Sequence, residues 1–384
     1  MTRPEYLPFG KPHFSDREIA AVARVLRSGW VGMGPETIAF ESELADYLHA
    51  PHVVTVNSCT AALFLSLLVS GVGPGDEVIC PSLTWCSTAN AALYLGARPV
   101  FSDVDADTLC VTAEHVLAKV TPKTKAVMAV HLGGLAVDVA TLRTALPKSV
   151  VIVEDAAHAL GARFADGRTV GSSGNLTCFS FYANKNLSTG EGGAIALFDR
   201  SVAEQLQSLR QHGLPLDAWK RFSTPQQLLL SKPLDRLGYK MNYTDLAACI
   251  GRIQLARQPE FAAIRLGIAQ RYVDGLRRMS APLGFQRHCL HPFHARHLFV
   301  VRLARERLRR DEVVLALRAM NIGASIHYAP LHLMPLYCDG CQSVSLPVTE
   351  RVAARMVTLP IGASMSLGDA DDVLRALEAV LKEP

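Results

Sequence analysis

The stretch FSFYANKNLSTGEGGA, residues 179–194, places a lysine where a buried strand is expected to end. Apolar and aromatic residues at 178–181 predict a strand, and the glycines that follow Lys185 predict a close turn. A lysine is usually a solvated surface charge. At the mouth of a sheet, however, low-dielectric surroundings disfavour the ammonium form and leave the free amine that Schiff-base chemistry requires. Lys185 is therefore either a nucleophile or an ordinary surface residue.

Short apolar runs alternate with helical segments on both sides of this stretch. Runs without alternation between apolar and polar residues are typical of strands that are covered on both faces. Strands separated by helices indicate right-handed crossovers and a mostly parallel α/β sheet flanked by helices. The predicted strands are residues 53–56, 77–80, 99–101, 126–130, 150–153, 178–181 and 193–197.

The pattern changes near residue 245, where two long helical segments follow one another. Beyond them come a predicted strand at 297–303 and a terminal helix at 369–381. A chain of 384 residues is too long for a single small core. We predict a large α/β domain at residues 1–245 and a smaller α+β domain at 246–384.

The bulk composition is that of an ordinary soluble globular protein, with 49% hydrophobic and 19% charged residues. A formal charge of +4 gives no reason to expect a nucleic-acid or membrane partner. Charged residues break up the first thirty positions, and the longest apolar run, 61–69, is too short to span a bilayer. Nine scattered cysteines indicate reduced thiols, so a cytoplasmic protein is expected.

One cysteine pair, Cys338 and Cys341, has the CxxC spacing of a zinc site. A structural zinc ion needs four ligands, and no second pair lies nearby in the sequence. We interpret the pair as part of a turn and expect no metal.

Ligands of open parallel sheets bind at the carboxyl ends of the strands, which directs attention to the residues that follow each apolar run. Asp155 follows one strand and can either face a cation or cap a helix. Ser58, Cys59 and Thr60 open a helix, where they can form a phosphate cradle or a plain N-cap. Trp85 can stack on a flat ring or fill the core.

Each of these signals is weak alone, but together they are specific. A carboxylate, an anion cradle, a flat aromatic and an amine at the ends of one sheet are the parts that a pyridoxal phosphate site needs. The helix N-terminus takes the phosphate, the carboxylate keeps the pyridine nitrogen protonated, and the lysine binds the aldehyde.

At these residues the sequence resembles the DegT/DnrJ/EryC1/StrS sugar aminotransferases, which have the aspartate-aminotransferase-like fold. The resemblance spans residues 7–381. The motifs that carry it are SGW at 28–30, SCTAAL at 58–63, GDEVI at 75–79, EDAAH at 154–158, FSFYANKNLSTGEGG at 179–193, GYKMNYTD at 238–245 and IHYAPLH at 326–332.

The resemblance implies roles for the residues that match the family's motifs. Lys185 would hold pyridoxal phosphate and move the proton between cofactor and substrate carbons, with pyridoxamine phosphate as the intermediate form. Asp155 would pair with the pyridine nitrogen, while His158 and Trp85 would lie against the ring.

The phosphate would be held by Ser180 together with the residues of the SCT motif, Ser58, Cys59 and Thr60. Asn242 would reach the cofactor phosphate of the neighbouring subunit. The resemblance therefore implies a homodimer with shared active sites.

Within the family, the sequence looks most similar to UDP-4-amino-4-deoxy-L-arabinose–oxoglutarate aminotransferase. The similar segments are PSLTWCST at 81–88, DVDADTL at 103–109, HGLPLDAW at 212–219 and GYKMN at 238–242. This similarity implies amination of a nucleotide-linked 4-keto sugar, with L-glutamate as donor and 2-oxoglutarate as product. The residues that can contact the diphosphate or sugar, or alternatively line a subunit interface, are Lys240, Arg210, His327, Tyr328 and His332.

Three alternatives are open. Sugar dehydratases of the same family use pyridoxamine phosphate, but they carry histidine at the position of Lys185. A cyclitol aminotransferase would act on keto-inositols with glutamine as donor. A non-catalytic regulator would bind pyridoxal phosphate and read DNA, although no basic helix-turn-helix stands out in this sequence.

Overall fold

The structure is a computed structural model of the chain, and it describes residues 3–214, 234, 236–279, 283–304, 309–338 and 344–382. Residues 215–219 of the HGLPLDAW motif lie outside the described residues. Cys341, the second cysteine of the CxxC pair, also lies outside them, whereas Cys338 is exposed.

A seven-stranded sheet forms the centre of the molecule, in the order β1-β7-β6-β5-β4-β2-β3. Its pairs are parallel except for those of β7, which runs antiparallel to both β1 and β6. The predicted mostly parallel α/β sheet is confirmed. The strands are β1 His52–Val56, β2 Glu77–Pro81, β3 Arg98–Ser102, β4 Thr124–Val130, β5 Val151–Asp155, β6 Leu176–Ser180 and β7 Gly193–Leu197.

Both faces of this sheet are buried, as the unbroken apolar runs predict. Along β4, Val127 and Ala129 belong to one apolar core, whereas Ala126 and Met128 belong to another. Successive side chains of a strand point to opposite faces, so the two cores lie on the two sides of the sheet. The helices of this part are Asp16–Ser28, Pro35–Leu48, Cys59–Val69, Cys86–Leu93, Ala113–Leu117, Val139–Ala145, Arg200–Leu209 and Asp245–Ala256.

A second, antiparallel sheet of three strands, in the order β10-β9-β8, has its own apolar core. Leu7 from the start of the chain joins this core. The strands are β8 Leu283–Phe285, β9 Phe299–Leu303 and β10 Met356–Leu359, and the helices that supply this core are Gln258–Arg278, Arg310–Ala319 and Leu367–Lys382. Two further helices of this part of the chain, Pro335–Cys338 and Pro347–Ala353, pack instead against the cores of the large sheet.

The helix Asp245–Ala256 packs against the helices Asp16–Ser28 and Pro35–Leu48 rather than against the smaller sheet. The division into domains at residues 1–245 and 246–384 stays a prediction. Among the described residues, no helix combines the length and the apolar character needed to cross a membrane.

Candidate active site

Lys185 lies on the loop that follows β6, where its backbone N–H donates to the carbonyl of Tyr182 at 2.9 Å. Its side chain is half-buried. Burial lowers the pKa of the Lys185 amine to about 8, because desolvation disfavours the ammonium more than the nearby charge of Asp155 favours it. At a pKa of about 8, roughly a tenth of this amine is unprotonated at pH 7, far more than for an ordinary lysine, and a nucleophile or a base requires the unprotonated form.

Asp155 is the last residue of β5 and is 5% exposed. The hydroxyl of Thr88 donates to Oδ2 at 2.7 Å, and the backbone N–H of Ala157 donates to Oδ1 at 3.2 Å. Among the described residues no α-helix starts at this point, so Asp155 is not a helix cap. Thr88 was not predicted from the sequence. It lies on the helix Cys86–Leu93, and its hydrogen bond fixes the orientation of the Asp155 carboxylate.

The helix Cys59–Val69 begins directly after β1 and presents its N-terminus to the same edge of the sheet. Ser58 caps it by accepting from the N–H of Ala61 at 3.1 Å, so the N-cap reading of this residue is correct. Within the described part of the chain, the amides of Cys59 and Thr60 donate to no acceptor. Ser180 ends strand β6, which is separated from β1 by β7, and its hydroxyl accepts the N–H of Tyr182 at 3.4 Å. Free amides and the helix dipole together suit a phosphate.

Gly193 allows β7 to pass directly against this helix N-terminus. A Cβ at position 193 would lie 2.6 Å from the carbonyl carbon of Ser58 and 2.7 Å from the amide nitrogen of Cys59. We expect Gly193→Ala to lower the free energy of unfolding by about 2 kcal/mol, because backbone cannot move aside as a flexible side chain can. Cofactor affinity should fall too, since the displaced amides are those that face the phosphate.

Thermal unfolding and cofactor titration of the apo-protein measure both effects. Gly73→Ala is the matched control, because a Cβ at position 73 meets nothing within 4 Å. Equal behaviour of the two variants would contradict the predicted clash.

Trp85 and Tyr328 form an aromatic wall near Lys185. Trp85 is 60% exposed, so it does not fill the core. Its ring centroid lies 5.9 Å from that of Tyr328, whose hydroxyl is 3.1 Å from Nε2 of the buried His158. The rings of His158 and Tyr328 lie nearly parallel, at an interplanar angle of 17°. Burial, followed by the charge of Lys185, holds the pKa of His158 well below its ordinary value, so the imidazole is neutral.

His327, which precedes Tyr328, is also close to the lysine. Its Nδ1 lies 3.1 Å from the hydroxyl of Thr358, and burial together with the Lys185 charge lowers its pKa to about 4. His297 is a residue that sequence reasoning missed. Its Nε2 lies 3.5 Å from Nζ of Lys185. As the first residue of the predicted strand at 297–303, it showed no pattern in the sequence that indicates a site.

Two of the predicted substrate residues point elsewhere. Arg210 is 2% exposed, and its Nη1 donates to Oε1 of Glu41 at 2.5 Å and to the carbonyl of Thr55 at 2.7 Å. It ties a helix end to β1, because a buried guanidinium needs such acceptors. His332 is buried as well, with Nδ1 2.6 Å from Ser82 and Nε2 3.2 Å from Glu350. We therefore leave both residues out of the candidate substrate site.

Lys240, a candidate for contact with the substrate, and Asn242, a candidate for contact with the cofactor, lie on accessible surface. Lys240 is exposed. Asn242 lines a cavity of 410 Å³ together with Asn57 and Glu191, next to the start of the helix Cys59–Val69. Its side-chain amide donates to the carbonyl of Tyr243 at 3.0 Å.

Comparison with known proteins extends over nearly the whole chain. The profile of the DegT/DnrJ/EryC1/StrS aminotransferase family matches residues 12–378. The spore coat polysaccharide biosynthesis protein SpsC of Bacillus subtilis is 39% identical over 392 aligned residues, which are 99% of this chain and 98% of SpsC.

Solved structures agree with this match. The aminotransferase TlmJ of Streptoalloteichus hindustanus is 36% identical, with a TM-score of 0.89 over 98% of this chain and 99% of TlmJ. Spr1654 of Streptococcus pneumoniae in its PMP form is 32% identical, with a TM-score of 0.89 over 97% of this chain and 98% of Spr1654. Its PLP form is 31% identical, with a TM-score of 0.88 over 98% of both chains.

Fold, motifs and relatives thus agree on one class of enzyme, the sugar aminotransferases that depend on pyridoxal phosphate. The chain belongs to the DegT/DnrJ/EryC1/StrS aminotransferase family. The residues present fit pyridoxal phosphate: the free amides of Cys59 and Thr60 would hold the phosphate, the buried Asp155 would pair with the ring nitrogen, and the Lys185 amine would bind the aldehyde.

Proposed function

We propose that this enzyme transfers an amino group from L-glutamate to the C4 keto group of a nucleotide-linked sugar, with UDP as the nucleotide, in amino-sugar biosynthesis. The observation that carries the proposal is the Lys185 amine, unprotonated in part near neutral pH and located beside Asp155 at the edge of the parallel sheet. The family supplies the transaminase chemistry. The PSLTWCST and GYKMN segments support the choice of a UDP-linked sugar.

The chain's own residues divide the work as follows. The amides of Cys59 and Thr60, with Ser58 and Ser180, hold the phosphate. Pyridoxal phosphate, when bound, supplies the electron sink that lets an amino group move between carbons. The Asp155 carboxylate holds a proton on the ring nitrogen.

The ring itself is placed by aromatic neighbours. Trp85 and His158 hold it in position, and Lys185 moves the proton through Nζ. His327 and Tyr328 are proposed to contact the sugar from the aromatic wall, and Lys240 the diphosphate.

A nucleotide-linked substrate agrees with what the relatives are said to do. SpsC is described as a protein of spore coat polysaccharide biosynthesis. Polysaccharides are assembled from sugars that carry a nucleoside diphosphate as leaving group. An amino sugar destined for a polymer is therefore best aminated while it carries the nucleotide.

The substrate is tested with a panel of UDP-, dTDP- and GDP-linked 4-keto sugars, with release of 2-oxoglutarate from L-glutamate as the readout. We expect continuous release with a UDP-linked 4-keto sugar, and none from the Lys185→Ala protein prepared in the same way. Turnover of keto-inositol with glutamine, and of no nucleotide sugar, would establish the cyclitol reaction instead.

Shared active sites in a homodimer give a separate prediction. Asn242→Asp places a carboxylate against the phosphate of the partner's cofactor, so this variant should be inactive, as Lys185→Ala should be. In a hybrid dimer of the two variants, one site carries both defects and the other carries neither. After dissociation and random reassociation of equal amounts, about a quarter of the wild-type activity should return.

The control for this experiment is a mixture of Lys185→Ala with Asp155→Ala. Both residues belong to the same chain's site, so every site in a hybrid keeps one defect and no activity should return. Failure of the Asn242 mixture to regain activity, when hybrids are shown to form, would mean that the sites are not shared.

A further inference from the structure

Two buried histidines, His158 and His297, pack against each other at a tilt beside Lys185. The ring centroids of His158 and His297 lie 4.4 Å apart, at an interplanar angle of 34°. Burial is the main cause that holds the pKa of each ring well below its ordinary value, and the charge of Lys185 acts in the same direction. Each ring is therefore neutral, with one nitrogen that donates and one that accepts.

Hydrogen-bond partners fix which nitrogen of His158 carries the proton. The backbone N–H of Gly133 faces Nδ1 at 3.3 Å, and a backbone N–H can only donate. Nδ1 is therefore the acceptor, and the proton is on Nε2, which lies 3.1 Å from the hydroxyl oxygen of Tyr328. His158 thus donates toward the aromatic wall and has no acceptor nitrogen left for Lys185.

The second ring is fixed in the opposite sense. The side-chain nitrogen of Asn186 donates to the carbonyl of Ala295 at 2.8 Å, which turns the amide so that its oxygen faces His297. This oxygen lies 3.3 Å from Nδ1 of His297. Because an amide oxygen only accepts, Nδ1 carries the proton, and the lone pair of Nε2 faces Nζ of Lys185 at 3.5 Å, at the long end of hydrogen-bond distances.

We propose that His297 is a positioning residue for Lys185: its Nε2 accepts a hydrogen bond from Nζ, and Asn186 holds it in the tautomer that can do so. A neutral lysine amine that donates one N–H to His297 has its lone pair directed away from the ring. The lone pair is then free for bond formation or proton abstraction on the open side. The proposal depends on Lys185 as the transaminase lysine and not on the identity of the sugar.

The surrounding groups give the proposal a measurable consequence. Two titratable groups, Asp155 and Cys59, affect the pKa of Lys185. The charge of Lys185 in turn affects the pKa of three histidines, His158, His297 and His327. Burial raises the pKa of Cys59 well above its ordinary value, and the three histidines are neutral. Asp155 is then the neighbour among them that favours the ammonium form of Lys185, and an acceptor at His297 stabilises this form further.

The test measures the protonation of Lys185 in the apo-protein, so that no substrate is involved. Acetic anhydride labels unprotonated amines, and peptide mass spectrometry reports the labelling of Lys185 against pH. The wild-type midpoint is expected near pH 8. His297→Leu removes the acceptor without adding polarity, so we expect the midpoint to fall to about pH 7. His297→Gln, which returns an oxygen acceptor at a similar reach, should restore it to about pH 8.

The holoenzyme provides a second readout. In the half-reaction with glutamate, His297→Leu should lower kcat by about tenfold to a hundredfold with little change in KM, because a misaligned amine slows the reaction after substrate has bound. His297→Gln should recover most of this loss. A labelling midpoint that stays at pH 8 or rises in folded His297→Leu would overturn the proposal. It would mean that the wild-type ring only fills space and accepts no hydrogen bond from the Lys185 amine.

A measurement on the wild-type chain covers the case in which the leucine variant does not fold. Selective labelling of histidine with nitrogen-15 reports the tautomer of each ring by NMR. The signal of His297, assigned by its disappearance in His297→Gln, should be that of a ring protonated at Nδ1. A ring protonated at Nε2 would overturn the proposal, because that nitrogen could not accept from Lys185.

Discussion

Replacement of Lys185 by alanine should lower the rate of 2-oxoglutarate release from glutamate by a factor of at least about 10⁴. The side chain supplies both the amine that binds the cofactor and the base that moves the proton. Its pKa of about 8 means that both tasks are within reach near neutral pH. Single-turnover kinetics of the glutamate half-reaction measure the loss without any assumption about the sugar.

The Lys185→Arg variant separates charge from nucleophilicity. It keeps a cation beside Asp155, but a guanidinium stays protonated and cannot attack an aldehyde or accept a proton. It should therefore be as inactive as the alanine variant. Borohydride should fix pyridoxal phosphate to the peptide of residue 185 in the wild type and in neither variant. Lys148→Ala, at an exposed position, is the control, and near-normal turnover by Lys185→Arg would remove Lys185 from its assigned role.

Much of the fold could be predicted because the strands of a sheet that is buried on both faces are short, unbroken apolar runs in the sequence. All seven apolar runs are strands of the central sheet, and only the reversed direction of β7 is absent from the pattern. The short strand Met356–Leu359 of the smaller sheet was not predicted. Four residues, which begin only two residues after a helix, are too few to display a period.

The predicted site residues on the sheet edge follow from topology, whereas their partners do not. A residue that ends a parallel strand must lie at the carboxyl edge of the sheet, and this placed Asp155 and Lys185 near each other. His297 is 112 positions from Lys185, and no local pattern announces that contact. The prediction that Arg210 contacts the substrate is wrong for the same reason, because its acceptor Glu41 is 169 positions away in the sequence. Motifs reveal which residues can do chemistry, but distant packing decides which ones are free to do it.

Replacement of Asp155 by asparagine should lower kcat for the glutamate half-reaction by about 10³, with a smaller effect on KM. Asparagine keeps the volume, and its single oxygen can still accept the N–H of Ala157. Its NH2 group takes the place of Oδ2 and can donate to the hydroxyl of Thr88, which can turn to accept, so the local structure should persist. The negative charge that holds a proton on the ring nitrogen is lost, and electron withdrawal through the ring weakens. In the apo-protein, loss of this charge should also lower the pKa of Lys185 below 8, because Asp155 favours the ammonium.

Glu154→Gln is a demanding control for this prediction, because Glu154 precedes Asp155 on the same strand and points to the opposite face. Its carboxylate is buried and bonds to His131 at 2.9 Å and to the amide of Asn175 at 2.8 Å. Disruption of this network should lower the free energy of unfolding by about 2 kcal/mol. The folded enzyme should nevertheless keep kcat within about threefold of wild type, since Glu154 has no contact with the site. If Asp155→Asn also lost only stability and kept kcat, the carboxylate would be a structural group, and the ring nitrogen would need another partner.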